Sequence, residues 1–381
     1  YYLNWGGRNY SIRAGRITHL LDEGLDEDDR MNSADMIRTQ ADVVMLYAQV
    51  FTPSILRAFR RATSDGVHPV LAALAANPRV AEAVERLDDW DYSTPTGIAE
   101  GYDARLDRDH REKDDDVRGK RRRGDLEDEI ANSVAATLFA VWRHEIVANT
   151  IDATLTGVGL PVLVNEREER VTALRNLLDN FESNQGVGAS GLNFFPGPAD
   201  ADAETRRDIA MLKSIADALD RLASDDFKAA FNNSTDQDDY RWGRLHRIVF
   251  THVLGGVVEE FNVPPAFGLF QQPLDDLAGI PTDGGYQTVD VGDPAVDIRV
   301  PGSDAFMFNA GPTGRFVSQM KRRRVKAVTS LPGGESEVRE SPFYLNLLEP
   351  WLRNETHPLL VSPGRIRADA FSTEHFVPPT P

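Results

Sequence analysis

Histidines and aspartates are the residues of this chain whose types and spacing could support metal or acid–base chemistry. His144-Glu145 has no second histidine one helical turn further on, so it does not form the zinc-binding H-E-x-x-H motif. His246 and His252 are six residues apart and therefore do not share a helix face. Four aspartates near glycines could either attract Ca²⁺ or simply occupy hairpin turns: Asp283, Asp290, Asp293 and Asp297.

The composition removes several classes of chemistry. The 381 residues include no cysteine, which excludes thiol catalysis, disulfides and cysteine-ligated zinc or iron–sulfur centres. The chain has no P-loop, no G-x-S-x-G and no G-x-G-x-x-G after a predicted strand. Its 60 acidic and 42 basic residues give a net charge of −18, which disfavours binding to nucleic-acid phosphates. No apolar run approaches the length of about 18 residues that a membrane span requires, so none is predicted.

The first two thirds of the chain are predicted to be mostly helical. Apolar residues recur at helical spacing between residues 34 and 88, where Pro53 should kink or restart the helix and Asn77-Pro78 should open a new one. Ser33 is a plausible N-cap for the first of these helices. Further helices are predicted over residues 133–155, 167–182 and 204–223.

Residues 92–128 differ from their surroundings because charged side chains dominate and apolar ones are scarce. Asp114–Asp116 and Arg121–Arg123 are typical of this composition, which favours a mobile, solvated insertion. Only six of the 42 basic residues are lysines. This bias is typical both of salt-tolerant proteins and of high-GC genomes, so a halophilic source and an ordinary one both remain open.

After residue 264 the pattern changes to short β-prone runs separated by glycine and proline. Residues 321–324 are predicted to turn a hairpin, and residues 341–352 to form a last helix. Helices followed by strands favour an α+β fold over alternating α/β. We therefore divide the chain into 1–91, 92–128, 129–263 and 264–381. Strands are predicted at 286–289, 297–300, 305–308, 315–320 and 325–329.

Several short segments form a distributed pattern that is more informative than any single motif. In chain order they are Tyr10–Ile17, Leu87–Asp91, Ser133–Trp142, Tyr240–Arg247, Asp283–Gly285, Gly311-Pro312, Leu331–Ser336 and Ser341–Leu352. Their order and spacing resemble the later part of the β-subunit of penicillin acylases. These are N-terminal-nucleophile hydrolases, and the group includes acyl-homoserine-lactone and cephalosporin acylases. The resemblance covers nearly the whole chain apart from the insertion at 92–128.

The resemblance implies an αββα sandwich and a definite chemistry. A precursor cuts itself and exposes a serine, or another nucleophile in some relatives, at the start of the β-subunit. The α-amine of that residue acts as the base that a weakly nucleophilic hydroxyl needs, usually through a water. A backbone N–H and an asparagine side chain stabilise the oxyanion. The products of amide hydrolysis are a carboxylic acid and an amine.

Arg13 is the site residue that the resemblance carries over to this chain. The spacing Arg13-x-x-x-Ile17 matches a family arginine that lies close to the oxyanion asparagine and helps to order the active site. We therefore expect Arg13 to act as an electrostatic and positioning residue, with a plain helix-start arginine as the alternative. Tyr1 cannot be the nucleophile, so the nucleophile and the asparagine are expected upstream of it.

Two alignments of the first residues remain open. In one, Asn4-Trp5 matches the family's Asn-Trp and Gly6 replaces the asparagine, which would leave an impaired or noncatalytic protein. In the other, the asparagine lies upstream of Tyr1. We favour the second because the first requires a sizeable deletion before Arg13. Because the chain begins with Tyr1 rather than Met, we expect it to be part of a larger gene product.

The resemblance also sets expectations about partners and location. We expect a tightly associated upstream chain of the same precursor, a small-molecule amide substrate and export from the cytoplasm. The chemistry needs no cofactor, and any structural Ca²⁺ should be bound mainly by upstream segments. Long-chain amides, lactone signals and aromatic acyl groups all remain open as substrates. The alternatives are a noncatalytic binding or structural subunit that retains the fold, and an unrelated α+β protein.

Overall fold

The computed structural model describes most of the chain. The described residues are 11–28, 30–104, 123–161, 167–254, 257–264, 274, 277–294, 305–321, 324–370 and 377. They form a mostly helical α+β structure with two small sheets. The α+β class predicted from the sequence is therefore confirmed, and the helices precede most of the strands along the chain.

Fourteen α-helices occur within the described residues. Those of the first half are α1 (Ser11–Asp28), α2 (Ser33–Gln40), α3 (Leu46–Ala62), α4 (Pro69–Ala75), α5 (Pro78–Asp88), α6 (Arg123–Val147), α7 (Ala153–Gly157) and α8 (Arg167–Asp179). The remainder are α9 (Phe181–Asn184), α10 (Ala203–Leu222), α11 (Lys228–Phe231), α12 (Trp242–Leu245), α13 (Leu348–Leu352) and α14 (Pro363–Asp369). A π-helix at Ala148–Asp152 joins α6 to α7, and 3₁₀ turns lie at Asp225–Phe227, Gln237–Asp239 and Glu259–Phe261.

The helices α2 and α5 begin at residues whose side chains cap the first turn, and the cap of α2 differs from the predicted one. Asn77 caps α5 by accepting a hydrogen bond from the Arg79 N–H at 3.0 Å, with Pro78 at the first helical position. The cap of α2 is Asn32 rather than Ser33, because its side chain accepts from the first turn while Asp35 accepts from the Asn32 N–H. The helix α3 runs through Pro53 and does not restart there.

The main core lies among the helices. Helix α10 packs against α3, α4, α5 and α6. Trp142 of α6 is fully buried, and its ring lies 6.0 Å from that of Phe51 and 5.4 Å from that of Phe139. The indole N–H of Trp142 donates to the Met211 carbonyl of α10 at 3.2 Å, so the one polar atom of the ring is satisfied.

Seven strands form two sheets in the described residues. The strands are β1 (Arg247–Ile248), β2 (Ile280–Pro281), β3 (Asp293–Pro294), β4 (Phe308–Ala310), β5 (Arg315–Lys321), β6 (Arg324–Ser330) and β7 (His357–Leu359). One sheet has the order β2-β1-β4-β3, in which only β1 and β4 are parallel. The other is the antiparallel sheet β5-β6-β7, with Val317 opposite Val328. The pairing of Lys321 with Arg324 confirms the predicted hairpin.

Several sequence expectations differ from the structure or concern residues that lie partly or wholly outside the described ones. Residues 286–289 form part of a buried loop instead of a strand, and the predicted helix at 341–352 is helical only over Leu348–Leu352. The predicted strand at 297–300 lies outside the described residues. Of the charged segment at 92–128, the structure describes 92–104 and 123–128; Thr94 and Thr96 are fully buried there.

Candidate functional site at Arg13

A buried loop, residues 282–292, is the feature that Arg13 contacts. Every residue from Thr282 to Asp290 is buried, although the segment has little regular secondary structure. Gly284 adopts a φ of +84°, and a Cβ there would lie 2.6 Å from the Asp290 carbonyl oxygen. The Thr288 hydroxyl donates to the same carbonyl at 2.6 Å and closes the loop from inside. These contacts explain why a run that reads as a strand turns back on itself.

Arg13 lies in the first turn of α1 and reaches across 275 residues of sequence to this loop. Its Nε lies 3.1 Å from the carbonyl oxygens of both Thr288 and Val289, and its Nη2 donates to the Val289 carbonyl at 2.6 Å. Among the described residues, none accepts from Nη1 and no carboxylate pairs with Arg13. The guanidinium is therefore bound along its Nε–Nη2 edge, and no carboxylate among the described residues neutralises its charge.

Arg16, one turn further along α1, has the opposite environment. It forms a two-pronged ion pair with Asp42, at 3.0 Å and 2.6 Å, in which both side chains are largely buried. The Asp42 carbonyl in turn accepts from the Asp290 N–H at 2.9 Å. This ion pair anchors α1 against the buried loop, so that Arg13 meets the loop in a fixed place.

The carboxylate of Asp290 fastens the end of the loop to the C-terminal part of the chain. Its Oδ1 accepts from Nη2 of Arg315 at 2.7 Å, and its Oδ2 accepts from the Asn354 amide at 2.5 Å. Arg315 also donates to the Trp351 carbonyl at 2.7 Å and lies 4.7 Å over the centre of that indole ring. All of these side chains are buried, so the carboxylate balances a guanidinium that water does not reach.

The ring of His246 contacts the backbone at both ends of the same loop. Its Nδ1 and Nε2 lie 2.8 Å from the carbonyl oxygens of Thr282 and Gly292, respectively. Complete burial lowers the pKa of His246, an effect that the two carbonyls oppose. Trp242, stacked on His246, donates its indole N–H to the Gly284 carbonyl at 2.8 Å.

A second aspartate of the loop, Asp283, lies near the carboxylate of Asp103. Asp283 accepts from the Ala104 N–H at 2.9 Å, and Asp103 accepts from the backbone and hydroxyl of Thr96, both at 2.7 Å. Burial raises the pKa of Asp283 well above its ordinary value, and the nearby charges of Asp103 and Asp290 raise it further. Both effects shift the equilibrium of Asp283 toward its neutral form.

The glycine-flanked aspartates and the histidines do not converge on a metal site in the described part of the chain. No group of three or more histidine, aspartate or glutamate side chains is placed there to hold an ion. Asp283 and Asp290 have the protein partners just given, and Asp297 lies outside the described residues. His144 stacks on Phe306 with ring centres 4.8 Å apart, and His252 accepts from the Leu254 N–H at 3.1 Å.

The sequence named Arg13 but not the groups that receive it. Asp283–Gly285 stood out as a landmark, yet nothing in it specified that the carbonyls of Thr288 and Val289 would face a helix far away in sequence. In the sequence, Asp290 is one of four aspartates near glycines and Arg315 begins a predicted strand, and neither pattern indicates that the two side chains pair. Tyr1 and Asn4–Gly6, on which the two alignments of the first residues depend, lie outside the described residues.

Comparison with protein families assigns the chain to a class of hydrolases. The profile described as penicillin amidase matches residues 1–368. The chain belongs to the penicillin amidase family, which implies an amide-hydrolysing acylase, and proteins of this family are processed heterodimers. A search of curated proteins gave no significant match. No helix among the described residues is long and apolar enough to span a membrane.

Proposed function

We propose that this chain is the later part of the β-subunit of an acylase that hydrolyses linear amides through an acyl-enzyme. The observation that carries the proposal is the family match over residues 1–368, taken together with the docking of Arg13 on the buried loop. The family supplies the reaction class. The carbonyls of the buried loop hold Arg13 in place, and the described residues leave Nη1 of its guanidinium without an acceptor.

In the proposed reaction, the hydroxyl oxygen of an N-terminal serine on an upstream segment attacks the amide carbonyl carbon. The serine proton passes by way of its α-amine to the departing nitrogen, the C–N bond breaks, and an amine leaves. Water, giving its proton to the α-amine, then attacks the ester carbonyl carbon, the bond between that carbon and the serine oxygen breaks, and the serine oxygen takes the proton back as the carboxylic acid is released. Negative charge builds on the carbonyl oxygen in both steps, so a fixed positive charge nearby favours the transition states.

Arg13 is the residue of this chain that we assign to that task. Two of its nitrogens are engaged by neutral carbonyls, which orient the guanidinium without cancelling its charge. We place Nη1 toward the oxyanion asparagine that the family contributes from upstream of Tyr1. If Gly6 replaced that asparagine instead, the same scaffold would serve a binding or structural subunit.

An upstream chain would also complete the fold. Phe316, Met320 and Val325 point to one face of the antiparallel sheet and are 54%, 84% and 49% exposed. An exposed apolar sheet face favours cover by further structure, and so do the outer edges of β5 and β7, on which the described residues place no further strand. We propose that the two small sheets belong to an αββα sandwich completed by the partner chain, that any Ca²⁺ is bound by that chain, and that the assembly is exported.

Intact mass spectrometry and N-terminal sequencing of the purified assembly test this proposal. We expect a second polypeptide and an N-terminal serine, threonine or cysteine on a segment preceding this chain. We also expect hydrolysis of at least one 4-nitroanilide in a series of phenylacetyl, butanoyl, octanoyl and dodecanoyl amides. An assembly with no such residue and no hydrolysis would overturn the acylase assignment and favour a noncatalytic subunit.

A further inference from the structure

Asp290 immediately follows the carbonyl group that receives Arg13, and it is fixed on three sides. Its two carboxylate oxygens are bonded to Arg315 and Asn354, at 2.7 Å and 2.5 Å, and its N–H donates to the Asp42 carbonyl at 2.9 Å. Its own carbonyl accepts from the Thr288 hydroxyl at 2.6 Å. The peptide between Val289 and Asp290 consequently has little freedom to rotate.

We propose that Asp290 is a positioning residue that sets the direction of the Arg13 guanidinium by fixing the Val289 carbonyl. The inference rests on the function proposed for Arg13. The Val289 oxygen receives both Nε and Nη2 of Arg13, so a rotation of that peptide moves the acceptor away from the guanidinium. Misplacement of a charged group by about 1 Å is enough to lower a catalytic rate by as much as 10²-fold.

The charge of Asp290 matters as well as its hydrogen bonds. Arg315 is buried and its ion-pair partner among the described residues is Asp290. An alanine at position 290 would leave this guanidinium uncompensated and would free the end of the loop. An asparagine would keep an acceptor for Arg315 but lose the charge, so Asp290→Asn should have a smaller effect on loop geometry than Asp290→Ala.

A second buried ion pair provides a matched control. Asp152 accepts from Nη1 of Arg170 at 2.6 Å, and both side chains are 7% exposed, close to the 7% and 8% of Asp290 and Arg315. Asp152 ends the π-helix and pairs with α8, in the helical region. Asp152→Ala should therefore lower the melting temperature about as much as Asp290→Ala without disturbing Arg13.

The experiment compares Asp290→Ala, Arg13→Ala, the double variant and Asp152→Ala in the complete processed assembly. The 4-nitroanilide that the unmodified protein hydrolyses fastest is the probe, and kcat and KM are measured separately. We expect each single variant at the site to lower kcat about 10-fold or more, with KM changed less, and the double variant to lie within about twofold of Arg13→Ala. Asp152→Ala should keep kcat. Independent effects that multiply in the double variant, or an equal loss of kcat in Asp152→Ala, would overturn the inference.

A second readout separates this inference from the proposed function. The ¹⁵Nε–¹Hε resonance of Arg13, assigned by its disappearance in Arg13→Lys, reports the hydrogen bonds to the loop carbonyls. We expect this resonance to shift or broaden in Asp290→Ala and to stay in place in Asp152→Ala. Should the unmodified protein hydrolyse none of the anilides, the proposed function fails while this measurement still decides whether Asp290 positions Arg13. An unchanged resonance in Asp290→Ala would overturn the positioning role.

Discussion

The helical core and the buried loop are both inaccessible to water, but they reach that state by different means. In α3, α6 and α10, apolar side chains at helical spacing are buried against neighbouring helices. Their backbone N–H and C=O groups form hydrogen bonds within each helix. The buried loop has only a few hydrogen bonds of its own, such as that from the Thr288 hydroxyl to the Asp290 carbonyl. Side chains from distant segments, Arg13, Trp242 and His246, supply further hydrogen bonds to its backbone. Packing in the helical core follows the repeat of the helix, whereas each contact of the buried loop involves a different segment of the chain.

The largest loss of stability is expected in the helical core, where a large ring is fully enclosed. Trp142→Ala should lower the free energy of unfolding by about 3 to 5 kcal/mol, because it removes apolar contacts and leaves a cavity. Urea denaturation of the assembly measures the change. Trp142→Phe serves as the control and should recover most of the lost stability. If the two variants were equally stable, burial of the ring would not be what stabilises this core.

A smaller loss is expected from a backbone change in the buried loop. Gly284→Ala should cost about 3 kcal/mol, because φ is +84° and the new Cβ would lie 2.6 Å from the Asp290 carbonyl oxygen. Gly66 is the matched control: its φ is +76°, but nothing lies within 4 Å of a Cβ there. Gly66→Ala should therefore cost only about 1 kcal/mol. Equal losses in the two variants would mean that the loop has room to adjust.

The pH dependence of stability should also distinguish the loop. The pKa of Asp283 is raised in the folded state, so its destabilising effect is absent at low pH and grows as the pH rises through the raised pKa. Asp283→Asn, which keeps an acceptor for the Ala104 N–H, should raise the melting temperature at pH 8 and have less effect at pH 4.

The helix cap Asp202 is the control, because its pKa is shifted in the opposite direction to that of Asp283. Hydrogen bonds from Thr205 lower the pKa of Asp202, so the stabilisation it contributes is present above the ordinary carboxyl pKa and is lost as the pH falls. Asp202→Asn should therefore not raise the melting temperature at pH 8. A gain at pH 8 in both variants, or in neither, would contradict the assignment for Asp283.

The smallest effect is expected at an exposed ion pair. Glu349 and Arg353 are one helical turn apart, with 3.1 Å between Oε1 of Glu349 and Nε of Arg353, and the Glu349 side chain is 61% exposed. Glu349→Ala should change the free energy of unfolding by about 0.5 kcal/mol or less, because water already screens the pair. Urea denaturation at low and high salt checks this. A loss comparable to that of Asp152→Ala would show that exposure does not set the strength of ion pairs here.

The same contrast explains how much could be predicted from the sequence. Helices such as α5 and α10 were predicted because their caps and apolar spacing are local properties, and the β5–β6 hairpin was predicted for the same reason. The loop was misread as a strand at 286–289, because φ of +61° at Gln287 and the Thr288 hydrogen bonds depend on tertiary partners.

The candidate site shows the same limit. Arg13 was selected through family resemblance and not through any local feature of its own. Its acceptors at Thr288 and Val289 are backbone carbonyls, which every residue possesses, so no side-chain pattern could identify them. The anchoring of Asp290 by Arg315 and Asn354 likewise joins segments that composition and periodicity treat as unrelated.

Comparison of Arg13→Ala with Arg79→Ala decides whether Arg13 contributes to catalysis or only to the start of its helix. Arg79 also lies in the first turn of a helix, and it donates to the Leu219 carbonyl and to Asp220, both at 2.8 Å. In the complete processed assembly, we predict that Arg13→Ala lowers kcat for the best 4-nitroanilide by about 10²-fold, whereas Arg79→Ala leaves it within about twofold. If both variants retained kcat and lost only stability, Arg13 would be an ordinary helix-start arginine without a catalytic role.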